Sequence, residues 1–215
     1  MRPSCIRSFA RSDRSERWTS KSEVLDAGSL TPSKARGPQS FVALNRFVKC
    51  YAHSKVNGMV LRVGQKAPAF DVVSSDGRRL KLGDFLGNKN VVLYFYPRDF
   101  TSVCTKEACG FRDIHEDLAA LDTEIIGVSA DSKESHQKFA EKYKVSFDLV
   151  ADENRELAKA YGATSFLHDR LGVTTRITYV IDKKGEIAGV FTGEFSANKH
   201  TDGVRDLVRR LAAAD

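Results

Sequence analysis

The chain has 215 residues, enough for one substantial core and something more. Its formal net charge of +6 misleads when taken whole, because residues 1–58 hold 11 lysines and arginines against four acids, whereas residues 59–215 hold 23 against 24. A nearly neutral folded part lacks the basic face that nucleic-acid binding wants, and the longest unbroken apolar run, Val91 to Tyr96, falls far short of the roughly 20 residues of a membrane-spanning helix.

Residues 1–58 do not read as a domain. Arg2, Arg7, Arg11, Arg14 and Arg17 alternate with serines, and no apolar stretch follows them as a secretory signal would require. An Arg- and Ser-rich leader of this kind is expected to be an organellar transit peptide, although Asp13, Glu16, Glu23 and Asp26 interrupt it. A disordered basic tail with no address is the alternative. Val48-Lys49-Cys50 resembles the tripeptides that precede plastid processing sites, and Met59 is a possible internal start that would leave a cytosolic form.

From Gln65 onward short strands and helices alternate. Phe70 to Val73 and Arg79 to Leu82 flank Asp76-Gly77, a hairpin signal. Val91 to Tyr96 reads as a buried strand closed by Pro97, and a helix follows with apolar residues at Ala108, Phe111, Ile114 and Leu118. Then come a strand over Glu124 to Ala130, a helix over Lys133 to Tyr143, a strand over Phe147 to Val150 and a short helix over Arg155 to Tyr161. Thr175 to Asp182 and Glu186 to Thr192 form a second hairpin, and Val204, Leu207, Val208 and Leu211 mark a closing helix over Asn198 to Ala213. Two strand–helix–strand units followed by a hairpin and a helix predict an α/β fold of the thioredoxin-like kind, a central mixed sheet with helices on both faces.

Four cysteines are too few for a secreted disulfide scaffold, and only Cys104 and Cys109 fall in the folded part. Cys104 is expected in the first turn of its helix, where unpaired N–H groups favour a thiolate. A buried cysteine acting as a small hydrophobe fits the same position. Thr101 can offer a hydroxyl to whatever approaches the sulfur, or simply cap the helix. Glu107 suits the helix dipole, yet a carboxylate so near a thiolate calls for a cation. Arg176 is the candidate, with a solvent-facing edge arginine as its alternative. On a regular helix, Cys104 and Cys109 stand roughly 8 to 9 Å apart and point about 140° apart, too far for a disulfide unless the helix opens. Cys109 reads equally as a packed residue beside Phe111. No second Cys or His pair sits at metal-ligand spacing. His53, His115, His136, His168 and His200 read as surface or packing residues.

At these residues the chain resembles a peroxiredoxin of the peroxiredoxin Q, or bacterioferritin-comigratory-protein, type. Pro97, Thr101 and Cys104 meet the motif P-x-x-x-T-x-x-C, Cys104 and Cys109 the adjoining C-x4-C, and Arg176-Ile-Thr-Tyr-Val-Ile-Asp182 the R-x-T-[FY]-V-[IL]-D segment. The resemblance covers nearly all of residues 62–212. It implies that Cys104 is the peroxidatic cysteine and Cys109 the resolving one, joined in turn by an intramolecular disulfide. Thr101 and Arg176 would position a hydroperoxide and hold the thiolate, and Pro97 would shield the pocket. It further implies a thioredoxin-like dithiol reductant, no metal, haem or flavin, a plastid home and a monomer, since both thiols lie on one chain. Ser102-Val103 stands where many relatives have Pro-Gly, so the stiffness of this first turn differs. Two other activities fit such a fold: a thioredoxin-like protein disulfide oxidoreductase, which would want C-x-x-C, and a non-catalytic redox sensor or holdase.

Overall fold

The computed structural model describes residues 60–164, 174–193 and 197–214. The expectations placed on residues 1–58, on Met59 and on Cys5, Cys50, His53 and His168 lie outside the described residues.

Strand β3 (Asn90–Phe95) is the middle strand of a five-stranded sheet, and every one of its residues is buried. It pairs in parallel with β4 (Thr123–Ser129) and antiparallel with β6 (Ile177–Ile181). Strand β5 (Asp148–Ala151) extends the sheet beyond β4, and β7 (Ile187–Thr192) beyond β6, giving the order β5-β4-β3-β6-β7. The parallel pairs enclose helices α2 (Ser102–Ala119) and α3 (Lys133–Tyr143), as the alternating pattern requires. This is the expected mixed sheet.

Alternate residues of β3 enter two different cores, which is why the strand reads as unbroken apolar sequence. Val91, Leu93 and Phe95 join Phe70, Leu80, Tyr161 and Tyr179 on one face. That side is covered by the hairpin of β1 (Asp71–Val73) and β2 (Arg79–Lys81) and by α4 (Glu156–Ala160). Val92, Tyr94 and Tyr96 join Phe111, Leu118 and Phe139 on the other face, together with Val204 and Val208 of the closing helix α5 (Ala197–Ala212). Cys104 belongs to this second core.

Most element ends fall within a residue or so of expectation, and two of the differences have a physical cause. The second strand stops at Lys81, and Leu82–Phe85 forms a single helical turn, α1. Leu82 still donates its N–H to the Phe70 carbonyl at 3.1 Å, so the ladder ends there and the chain turns away. The strand expected from Thr175 begins at Ile177, because Phe95–Ile177 is the last pair with β3 before Pro97 removes a donor. Arg176 is thereby left just beyond the ladder, at the end of the sheet where the chain leaves β3 for α2.

Helix α5 is seated closely. A Cβ on Gly189 would collide with the Leu207 side chain, and one on Gly110 of α2 would come within 2.9 Å of Thr201 Cγ2. Glycine at these two positions lets α5 lie against both β7 and the first half of α2.

Candidate active site

Residues 97–101 carry the chain from β3 into α2 and are pinned from below. The buried Asp99 carboxylate accepts from Tyr96 Oη at 2.8 Å and from Ser135 Oγ at 2.7 Å, and His136 Nδ1 lies 2.9 Å from it. The Asp99 N–H donates to Asp131 at 2.8 Å, while His136 Nε2 reaches the Val150 carbonyl at 3.2 Å. Phe100 is held at a φ of +60°, uncommon for a bulky side chain, with its ring edge-on to Phe139 at 5.3 Å. Such a loop is over-determined by its surroundings, which fixes where α2 starts.

Thr101 is the N-cap residue by backbone conformation, yet its hydroxyl donates to the Arg98 carbonyl at 3.2 Å and makes no capping bond. The hydroxyl is exposed and set at the helix mouth, where an incoming ligand can exchange for that carbonyl. Cys104 is the third helical residue, only 2% exposed, within the turn whose N–H groups have no intrahelical acceptor. Pro97 is half-buried at the strand end.

Arg176 meets the sulfur directly. Its Nη2 donates to Cys104 Sγ at 3.0 Å, and its Nη1 pairs with Glu107 Oε2. Glu107 follows Cys104 by three residues on the same face of α2 and is wholly buried. Burial alone would lower the Arg176 pKa, but the Glu107 and Cys104 charges outweigh it and raise it above the ordinary arginine value. The guanidinium therefore stays cationic in a dry pocket, shared between a carboxylate and a sulfur. Beneath it Tyr94 is fully buried, and desolvation followed by the Glu107 charge pushes its hydroxyl pKa well above the usual tyrosine value. Tyr94 therefore stays neutral beside the cluster.

The far oxygen of Glu107 faces α5. His200 Nδ1 is 3.2 Å from Glu107 Oε1 and 2.9 Å from Thr178 Oγ1. The histidine is within ion-pair distance of the carboxylate without the alignment of a full hydrogen bond. Cys109 is also buried and is not in a disulfide with Cys104. Helical geometry keeps the two sulfurs on diverging directions, so both thiols coexist in this arrangement.

The structure thus brings Cys104 and Arg176 together, keeps Thr101 and Pro97 at the rim, and holds Cys109 a turn and a half away. Two readings are corrected. His136 and His200 are not surface or simple packing residues: each is buried against a carboxylate, Asp99 and Glu107 respectively. The spacing carried a hint of this, since His200 shares a stripe with Val204 and Val208, and His136 one with Phe139 and Tyr143. Asp99 was missed because nothing local marks an aspartate in a loop as buried.

A thiol beside a fixed guanidinium at a helix start, with both groups almost wholly buried, is arranged for nucleophilic attack on a small polar electrophile. Comparison with known proteins points the same way. Residues 63–190 match the AhpC/TSA family. A chloroplastic peroxiredoxin Q of Populus jackii is 40% identical over 148 residues, 69% of this chain and 68% of that protein. The peroxiredoxin Bcp of Bacillus subtilis is 45% identical over 133 residues, 60% of this chain and 83% of that protein. Among solved structures, the peroxidoxin BcpB of Mycobacterium tuberculosis superposes with a TM-score of 0.64 at 31% identity, covering 70% of this chain and 98% of that one.

Proposed function

The chain belongs to the AhpC/TSA family, and on that premise we propose that Cys104 is the peroxidatic thiol and Cys109 its resolving partner. The protein is a thiol-dependent peroxidase. The Cys104 thiolate attacks the terminal oxygen of a hydroperoxide. An S–O bond forms and the O–O bond breaks. The departing alkoxide or hydroxide takes a proton and leaves as an alcohol or water. Arg176 holds the thiolate and stays in place to stabilise the oxygen charge that develops, while the Thr101 hydroxyl receives the peroxide and Pro97 limits water at the rim. Cys109 sulfur then attacks the Cys104 sulfenic acid, a disulfide forms and water leaves. A dithiol reductant, thioredoxin or a protein like it, returns both thiols by exchange and is itself oxidised.

The observation that carries this reading is the 3.0 Å contact of Arg176 Nη2 with a Cys104 sulfur excluded from solvent. Following peroxide loss with thioredoxin and its reductase as the recycling system tests it. The native chain is expected to consume peroxide catalytically, and Cys104→Ser to fall to background. Equal consumption by that variant would remove Cys104 from the chemistry.

Both thiols lie on one chain, so a monomer suffices for the cycle. For the setting, the Arg- and Ser-rich residues 1–58 together with the chloroplastic relatives support a plastid address, with the peroxidase domain beginning near Met59. A fluorescent reporter carrying residues 1–58 should then enter plastids. A diffuse cytosolic signal would rule the address out.

A further inference from the structure

We infer that His200, on the C-terminal helix, is a positioning residue for the reacting thiol, acting through Glu107 and Arg176. This rests on the reading of Cys104 as the reacting group. The four side chains form one buried series. Arg176 Nη2 donates to Cys104 Sγ at 3.0 Å, Arg176 Nη1 pairs with Glu107 Oε2, and His200 Nδ1 stands 3.2 Å from Glu107 Oε1. They come from three separate parts of the fold: α2, the residue ahead of β6, and α5. All are 3% exposed or less.

The series has a physical logic. Once Cys104 is ionised, two negative groups, its sulfur and the Glu107 carboxylate, share one guanidinium. Whatever satisfies the carboxylate from its other side leaves more of Arg176 for the sulfur. Glu107 Oε1 has no aligned hydrogen-bond donor among the described residues, so the His200 Nδ1 side is the polar group that meets it. A carboxylate repels a bare ring lone pair, so the arrangement favours a hydrogen on His200 Nδ1, aligned with Thr178 Oγ1 and meeting Glu107 Oε1 as a charge contact. Thr178 Oγ1, 2.9 Å away, holds the ring in that orientation from β6.

The cost of the histidine supports a role beyond packing. Among the described residues its Nε2 is buried with no hydrogen-bond partner, so a polar ring has been placed beside Phe191 with only one side satisfied. An apolar residue would fill that space without the penalty. The contact also straddles the redox pair, since Glu107 lies between Cys104 and Cys109, and Thr201, next to His200, abuts Gly110. Helix α5 therefore grips α2 at the segment that must move for the two sulfurs to meet.

The test uses the full chain with Cys109→Ser added, so that only the first oxidation is seen in rapid mixing with hydrogen peroxide. His200→Leu is expected to oxidise about tenfold more slowly at neutral pH, and the midpoint of its rate–pH profile should move to higher pH. His200→Asn, whose side-chain amide nitrogen replaces Nδ1, should recover to within about threefold of the parent. A folded leucine variant with the parent's rate and pH midpoint overturns the proposal, as does an asparagine variant as slow as the leucine one. Should the leucine variant fail to fold, the His200 ring resonances decide. In Cys104→Ser the ring nitrogen chemical shifts should differ from the parent's, because a negative charge in the series has been removed. Unchanged shifts refute the link. A parent chain that ignores peroxide sinks the peroxidase reading instead, and the ring shifts still report on the electrostatic coupling.

Discussion

Arg176→Leu is expected to slow the first oxidation of Cys104 by about a hundredfold at neutral pH, the size seen when a fixed donor to a developing charge is removed. Cys104 is 2% exposed and shares the second core with Tyr94, Tyr96, Ala108 and Phe111. In such surroundings desolvation works against the thiolate, and the charge-assisted hydrogen bond from Nη2 opposes it. Leucine removes that bond and leaves the wholly buried Glu107 carboxylate without its guanidinium, a loss of about 3 to 5 kcal/mol in comparable broken pairs. Denaturant unfolding should record that loss, and stopped-flow oxidation of the folded fraction should record the rate. Arg176→Lys should recover only part of either, because an ammonium cannot fork between sulfur and carboxylate. A leucine variant that oxidises at the native rate would take Arg176 out of the site.

Cys109→Ser should separate the two halves of the cycle. The first oxidation is expected to stay within about twofold of native, because the hydrogen bond to the Cys104 sulfur comes from Arg176, which this variant keeps. Steady-state turnover with a dithiol reductant should drop by on the order of a hundredfold, with sulfenic and then sulfinic acid accumulating at Cys104. The reason is geometric. Five residues of α2 carry the second cysteine about 7.5 Å along the helix axis, beyond disulfide reach, so bonding requires the helix to open. Opening breaks the Glu107 contacts with Arg176 and His200 and the close approach of Gly110 to Thr201. Resolution is therefore coupled to loss of the arrangement that activates the thiol, and the sulfenic acid, no longer an anion, has less need of it. Unchanged turnover in the serine variant would show that a different group resolves the sulfenic acid.

How far the site could be read in advance depended on whether a residue's role was local or tertiary. Cys104 and Thr101 were placed by the closing proline, the helical period and the first-turn position, all of which are written in adjacent residues. Arg176 was only a candidate from the need of a buried cation for an anion, with a solvent-facing edge arginine left open, until the R-x-T-[FY]-V-[IL]-D resemblance singled it out. Glu107 could be read as no more than a partner of the helix dipole. His200 was not found, since α5 is seated closely on α2 at Gly110 and on β7 at Gly189, which no local pattern relates to one another. The same holds for His136 and Asp99, brought together from α3 and the loop after β3. In the fold, the alternating elements gave the sheet and its two covered faces, whereas the turn at Leu82–Phe85 escaped because Leu82 is buried and bonded to Phe70 as a strand residue would be.

The central claim is that one sulfur, held by a guanidinium at the start of α2, takes the oxygen. Rapid mixing of the reduced chain with one equivalent of hydrogen peroxide, acid quenching and peptide mass mapping tests it without any substitution. The account predicts that Cys104 gains the first oxygen and that this species decays into a Cys104–Cys109 disulfide with loss of water. A Cys104 that remains a thiol while the peroxide disappears, or while another residue is oxidised first, would contradict it.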